Sequence, residues 1–280
     1  MREVDVSLVT AAVDKLCRSA NEVLGEDVLQ ALRAALDSEE SPAGREVIGQ
    51  LLENARIARE EGEPMCQDTG LAVVFLEVGQ EVRLVGGDIE AAVNEGVRRG
   101  YVGGFLRKSA VKDPLDRKNT GDNTPAIIHT RIVPGDRVRV VVAPKGGGAE
   151  NMSALRMLTP ADGRDGVKAF VVDVVRRAGP NPCPPVVVGV GLGGTFEKAA
   201  LLAKEALLRP LGQHHPDPAV AALERDLLTE INRLGIGPQG FGGRVTALWV
   251  SVLTYACHIA SLPVAVNVNC HAHRHAEAVV

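Results

Sequence analysis

Six short runs of aliphatic, mostly β-branched residues constrain this chain most: 71–78 (LAVVFLEV), 126–133 (AIIHTRIV), 137–144 (RVRVVVAP), 186–190 (VVVGV), 245–256 (VTALWVSVLTYA) and 263–269 (PVAVNVN). Each has strand length and composition. None approaches the roughly 18–20 apolar residues that cross a bilayer as a helix. Between them the apolar spacing turns helical. Val6, Val9, Val13 and Leu16 share one face, as do Val28, Leu32 and Leu36. Ser41-Pro42 is an N-cap followed by proline at the first helical position, opening a helix to about Glu60. Further helices are expected near 88–99, 167–177, 197–208 and 218–234. Pro134-Gly135-Asp136 between the second and third runs predicts a β-hairpin. The predicted fold class is α+β (mixed α/β). A single domain over 1–280 is expected, with a helical N-terminal segment (1–63) ahead of mixed sheets with packed helices.

Charge and composition exclude whole classes of partner. The net charge of −4 gives no general attraction to nucleic acid or an anionic membrane, and 3% aromatics leave little to stack on bases. Acids within the first ten residues argue against a secretory leader, so a cytoplasmic location is expected.

Five cysteines, an odd number at low density, argue against a disulfide framework and raise the weight of catalytic or metal-binding thiols. Cys17 and Cys257 fall inside periodic segments and read as core or helix-face thiols. The other three sit among turn residues beside strand runs: Cys66 in MCQDTG, Cys183 in NPCPP and Cys270 in VNVNCHAH. Prolines around Cys183 stiffen its loop. Three thiolates suit either zinc with a fourth ligand or an iron–sulfur cluster, and spacing alone does not choose between them.

The stretch 98–118 carries seven bases and two acids, a local positive patch in an acidic chain that suits a carboxylate or phosphate. KGGGAEN (145–151) is not a phosphate-binding P-loop, but its glycines permit close backbone approach. GVGLGG (189–194) fits a dinucleotide fingerprint by spacing. The second parallel strand with a terminal acid about 20 residues on is missing, so a nicotinamide site is rejected. HAHRHAEA at the end reads as a ragged terminal helix.

Taken in order, MCQDTG, RKNTGDNTPAIIH (117–129), KGGGAEN, NPCPP, GVGLGGTFEKA and VNVNCHAHR resemble the iron–sulfur class I fumarate hydratases, and more closely the alpha subunits of two-subunit fumarate or L(+)-tartrate dehydratases. The resemblance runs from about residue 40 to the end. It implies a [4Fe-4S] cluster on Cys66, Cys183 and Cys270 with an open fourth iron. It also implies Gln67, Asp68, Arg107, Gly147 and Gly148 as substrate contacts, with Asp68 and His258 as an acid–base or orienting pair. Single-chain members continue into a further domain carrying a threonine base and more basic contacts. A beta subunit is therefore the expected partner, in a dimer of alpha–beta pairs acting on a four-carbon dicarboxylate. Fumarate/malate is the first expectation and L(+)-tartrate the alternative. A non-enzymatic iron–sulfur sensor is a further alternative, though sensing has no need of Gln67, Asp68, Arg107 or the glycine loop.

Overall fold

A computed structural model describes residues 1–280. The architecture is α+β, as expected. The chain forms two compact units: residues 1–24, 54–147 and 274–280 make the first, and 25–53 with 148–273 the second.

In the first unit, β1 (Arg2–Asp5) pairs with β3 (Val82–Val85). A four-stranded sheet has the order β10-β5-β2-β4, with β2 at Leu71–Gly79, β4 at Ile127–Val133, β5 at Val138–Lys145 and β10 at Ala276–Val279. Helices α1 (Val6–Glu22) and α4 (Ile89–Gly103) pack on each other. Both begin on aspartate caps: Asp5 accepts from Ser7 N at 2.8 Å and Asp88 from Ala91 N at 2.8 Å. Their apolar faces (Val9, Val13, Leu16, Cys17, Val93, Val97 and Tyr101) join Val74, Leu76, Val140 and Val142 in one core. Five consecutive residues of β2 are buried because it is an inner strand, covered on both faces.

Two expectations fail in this unit. The runs at 126–133 and 137–144 are strands but not a hairpin. β2 lies between them, antiparallel to β5 and parallel to β4, so the turn at 134–136 carries the chain across β2. The C-terminal segment is strand β10, antiparallel to β5, and not a helix. Ala276 and Ala278 pack on the core and Glu277 pairs with Arg139, an alternation that only a strand satisfies.

The second unit holds the sheet β6-β9-β7-β8, with β6 at Ala154–Leu158, β7 at Val186–Gly193, β8 at Ala247–Tyr255 and β9 at Leu262–Asn269. Its helices include α2 (Glu26–Ser38), α6 (Gly163–Ala178), α7 (Phe196–Ala206) and α8 (Pro218–Asn232). Between α2 and α6 run α3 (Pro42–Glu61), which ends in the first unit, and the single turn α5 (Gly147–Glu150). Val188 and Val190 face the core made with α6 and α8, including Phe170, Val174, Leu227 and Ile231. The alternate residues, Gly189 and Gly191, face α7. A Cβ on Gly189 would lie 2.2 Å from the Ala203 carbonyl, and one on Gly191 2.1 Å from that of Ala199. The GVGLGG glycines therefore admit a helix into van der Waals contact with the strand. β8 runs parallel to β7 but arrives only after α7 and α8 and ends at Tyr255, with no acid.

Buried Glu39, at the α2–α3 junction, takes N–H groups from Glu40, Ser41, Arg244 and Val245 at 2.8–2.9 Å. It pins the loop before β8.

Candidate active site

The MCQDTG turn of the first unit is anchored at both ends and open in the middle. Met65 is buried; its N–H donates to the Asn21 carbonyl (2.9 Å) and its carbonyl accepts from Asn54 Nδ2 (2.8 Å). At the other end Thr69 is 2% exposed, and its carbonyl accepts from the Tyr101 hydroxyl at 2.8 Å. Burial pushes the Tyr101 phenol far up, so it stays a protonated donor. Gly70 has φ +70°, and a Cβ there would meet the Lys145 main chain at 2.5 Å. Between these anchors Cys66 and Asp68 are half-buried and Gln67 is exposed. The turn presents a thiol, an amide and a carboxylate together.

Asp68 is fixed by main-chain donors. Its Oδ1 accepts from Gly70 N at 3.1 Å, an Asx turn, and its Oδ2 accepts from Gly147 N at 2.8 Å. Its carbonyl accepts from Arg274 Nη2. A Cβ on Gly146 would lie 3.0 Å from Asp68 Oδ2, so the first glycine of KGGGAEN leaves room for this carboxylate. Gly147 touches Asp68 through its N–H, and Gly148 is exposed at the start of the second unit.

Arg107 is exposed, with Nη1 3.5 Å from Gln67 Oε1. Its carbonyl accepts from Thr69 Oγ1 at 3.0 Å. The loop that carries it is braced by Asn123, which is fully buried. Asn123 Oδ1 accepts from Ser109 N (2.7 Å) and Ala110 N (3.1 Å), and its Nδ2 donates to the Gly70 carbonyl (3.1 Å). One side chain ties the arginine loop to the cysteine turn. Of the other bases in 98–118, Arg98 and Arg99 pair with Glu95.

In the second unit Cys183 is exposed, at φ 54°. Its N–H donates to the Pro180 carbonyl at 3.0 Å, and its own carbonyl accepts from His271 N at 3.3 Å, with His271 Nδ1 3.1 Å away. His271 directly follows Cys270, so NPCPP and the end of β9 are joined beside both thiols. His258 is exposed in the turn after β8, with Nδ1 accepting from Ala260 N at 3.1 Å. It lines a largely apolar cavity of about 520 Å³ with Cys257, Ile259, Arg164 and Leu223.

The structure thus brings Cys66, Gln67, Asp68, Arg107 and Gly147 together in the first unit, and joins the Cys183 and Cys270 segments in the second. Asp68 and His258 belong to different units. In neither unit do three His, Cys, Asp or Glu side chains converge on one point. The two remaining cysteines differ from each other. Cys17 is a core thiol, pushed up to about 12 by burial and then by Asp14. Cys257, expected in a core or on a helix face, is instead exposed, its Sγ 3.4 Å from the Ser261 carbonyl. β8 loses its cover at Thr254, so the periodic pattern outruns the buried part of the strand.

Sequence reasoning missed Asn123, Tyr101, Gly146 and Arg274. Asn123 had a signal: an asparagine in GDNTP suits a left-handed turn, and its φ is 65°. Tyr101 gave none, since it continues the apolar stripe of α4.

With the geometry in place, similarity to known proteins bears on identity. The sequence profile described as Fumarate hydratase (Fumerase) matches residues 10–279. The chain belongs to the fumarate hydratase family. It is 43% identical over 274 residues to the "Putative L(+)-tartrate dehydratase subunit alpha" of Methanocaldococcus jannaschii, covering 96% of each chain. It is 34% identical over 272 residues to the L(+)-tartrate dehydratase subunit alpha of Escherichia coli, covering 96% of this chain and 89% of the relative. The Shigella boydii protein of the same name matches to the same extent. All three of these relatives, matched over most of their length, carry the tartrate name. No helix of the chain is long and apolar enough to cross a membrane.

Proposed function

We propose that this chain is the alpha subunit of an iron–sulfur hydro-lyase acting on four-carbon hydroxy-dicarboxylates, with L(+)-tartrate ahead of fumarate/malate as substrate. This order reverses the expectation from sequence. The single observation behind it is the near full-length match to subunits named for tartrate dehydration. The family description, fumarate hydratase, keeps fumarate/malate as the second reading.

The chemistry of three thiols supports a cluster as the proposed cofactor. Three thiols stand outside the cores, none of them in a disulfide. Two lie in segments that hydrogen-bond to each other, and the third lies in a turn anchored on both sides. Cys66, Cys183 and Cys270 would hold a [4Fe-4S] cluster, which when bound supplies a Lewis acid for the substrate hydroxyl and a carboxylate oxygen.

The chain's own residues supply the rest. Arg107 offers a guanidinium to one substrate carboxylate, and Gln67 beside it a hydrogen-bonding amide. Asn123 keeps both at fixed spacing, which lowers the ordering needed on binding. Asp68 has its carboxylate held by Gly70 and Gly147, so it meets the substrate without searching rotamers. With His258 it would form the acid–base or orienting pair for proton movement at carbon and hydroxyl. Gly148 allows close approach of the loop. A beta subunit, in a cytoplasmic dimer of alpha–beta pairs, would complete the cations and the base.

The test is dehydration of L(+)-tartrate and of L-malate by the anaerobically prepared alpha–beta complex, and by the alpha chain alone. The proposal expects kcat/KM to favour tartrate and the alpha chain alone to be inactive. Preference for malate would reverse the substrate order. Full activity of the alpha chain alone would remove the partner requirement.

A further inference from the structure

Arg274 is only 5% exposed, and no carboxylate pairs with it. Its Nη2 donates to the Asp68 main-chain carbonyl, while its Nη1 is buried with no acceptor. A guanidinium withdrawn from water without a counter-charge is expensive, and packing alone would be served better by an apolar residue of similar length. Stability does not explain this arginine.

Its one hydrogen bond does point to a role. Asp68 is held at three places: Oδ1 by Gly70 N, Oδ2 by Gly147 N and the carbonyl by Arg274. The first two orient the carboxylate. The third fixes the peptide between Asp68 and Thr69. Tyr101 holds the next carbonyl, that of Thr69. Without Arg274 that peptide loses its side-chain anchor, and the carboxylate it carries is held less closely.

We propose that Arg274 is a positioning residue that acts through Asp68. The inference rests on the reading of Asp68 as an acid–base or orienting group. It adds a residue from HAHRHAEA that the proposed chemistry leaves unused.

A double-mutant cycle in the anaerobic alpha–beta complex tests it, using Arg274→Met, Arg274→Lys, Asp68→Asn and Asp68→Asn/Arg274→Met. Iron content and melting midpoint are followed alongside kcat and KM. Arg274→Met is expected to lower kcat about 100-fold, the scale of a 1 Å misplacement. KM should stay within about twofold, because a displaced Asp68 impairs the reaction more than binding. Iron content should not change. Arg274→Lys retains a donor for the carbonyl and should recover part of the rate. The double variant should be no slower than Asp68→Asn.

Additive losses in the double variant would show that Arg274 acts independently of Asp68 and overturn the inference. Parent-like kcat in Arg274→Met, with Asp68→Asn impaired, would do the same and leave the Asp68 reading intact. Full activity of Asp68→Asn would instead sink the Asp68 reading. If Arg274→Met does not fold, Arg274→Lys decides. Parent-like kcat in a folded Arg274→Lys whose lysine no longer hydrogen-bonds the Asp68 carbonyl would refute the role, and a reduced kcat at unchanged KM would support it.

Discussion

Asn123→Ala tests how far the geometry around the cysteine turn depends on one side chain. The substitution removes three hydrogen bonds from a fully buried position: those from Ser109 N and Ala110 N, and that to the Gly70 carbonyl. At about 1 kcal/mol for each bond left unmade, the loss is ~3 kcal/mol. Alanine at φ 65° adds about 1 kcal/mol, because its Cβ crowds the carbonyl in the left-handed region. The sum, ~4 kcal/mol, corresponds to a fall of roughly 8–15 °C in the apparent melting midpoint for a domain of this size. Asn123→Gly loses the same bonds but not the backbone strain, so it should melt about 2–4 °C above the alanine variant. Thermal unfolding of the alpha chain by circular dichroism reads both. If Arg107 binds a substrate carboxylate as proposed, the freed loop should also raise KM in the proposed alpha–beta complex. A midpoint for Asn123→Ala within about 2 °C of the parent, a margin well under the ~4 kcal/mol cost, would refute the brace. Equal midpoints for the two variants would refute the strain component.

Two further outcomes follow from the second unit. Burial alone would raise the Glu39 carboxyl, but the N–H groups of Arg244, Ser41, Val245 and Glu40 outweigh it and hold the group below the usual glutamate range. A carboxylate with a lowered folded value stabilises above its unfolded value and loses that contribution as pH falls through the folded one. Acid unfolding of Glu39→Gln, followed downward from about pH 5, should therefore be shallower than that of the parent, and identical acid limbs would contradict this role. Gly191→Ala forces a Cβ to 2.1 Å from the Ala199 carbonyl, so α7 must move. A loss of at least ~2 kcal/mol in urea unfolding is expected, and an unchanged midpoint would contradict the close packing.

The strand runs and helix faces were legible because period 2 and period 3.6 leave different apolar patterns, and because Asp88 and Ser41 mark helix starts. Pairing was not. The turn at 134–136 looks like a hairpin since local residues specify a turn, while the insertion of β2 between its arms is a long-range choice that leaves no local mark. The C-terminal strand looks helical in sequence for a similar reason: a run of alanines and histidines is compatible with either period, and pairing with β5 decides. At the site, Cys66, Gln67 and Asp68 were visible as polar residues before an apolar run, and the motif order carried the family. What stayed hidden was the support. Tyr101, Asn123 and Arg274 act through carbonyls of residues 32, 53 and 206 positions away. No spacing rule reports a side chain bonded to a distant main chain. The glycine fingerprint at 189–194 shows the reverse case, a familiar spacing that exists for helix–strand packing.

The most direct test of cluster ligation is iron and acid-labile sulfide per alpha chain in the anaerobic alpha–beta complex, measured for the parent and for Cys66→Ser, Cys183→Ser, Cys270→Ser and Cys257→Ser. Ligation by Cys66, Cys183 and Cys270 predicts about four of each in the parent and in Cys257→Ser, and a collapse of both in the other three variants. Zinc without sulfide in the parent, or full iron and sulfide in any of those three, would contradict it.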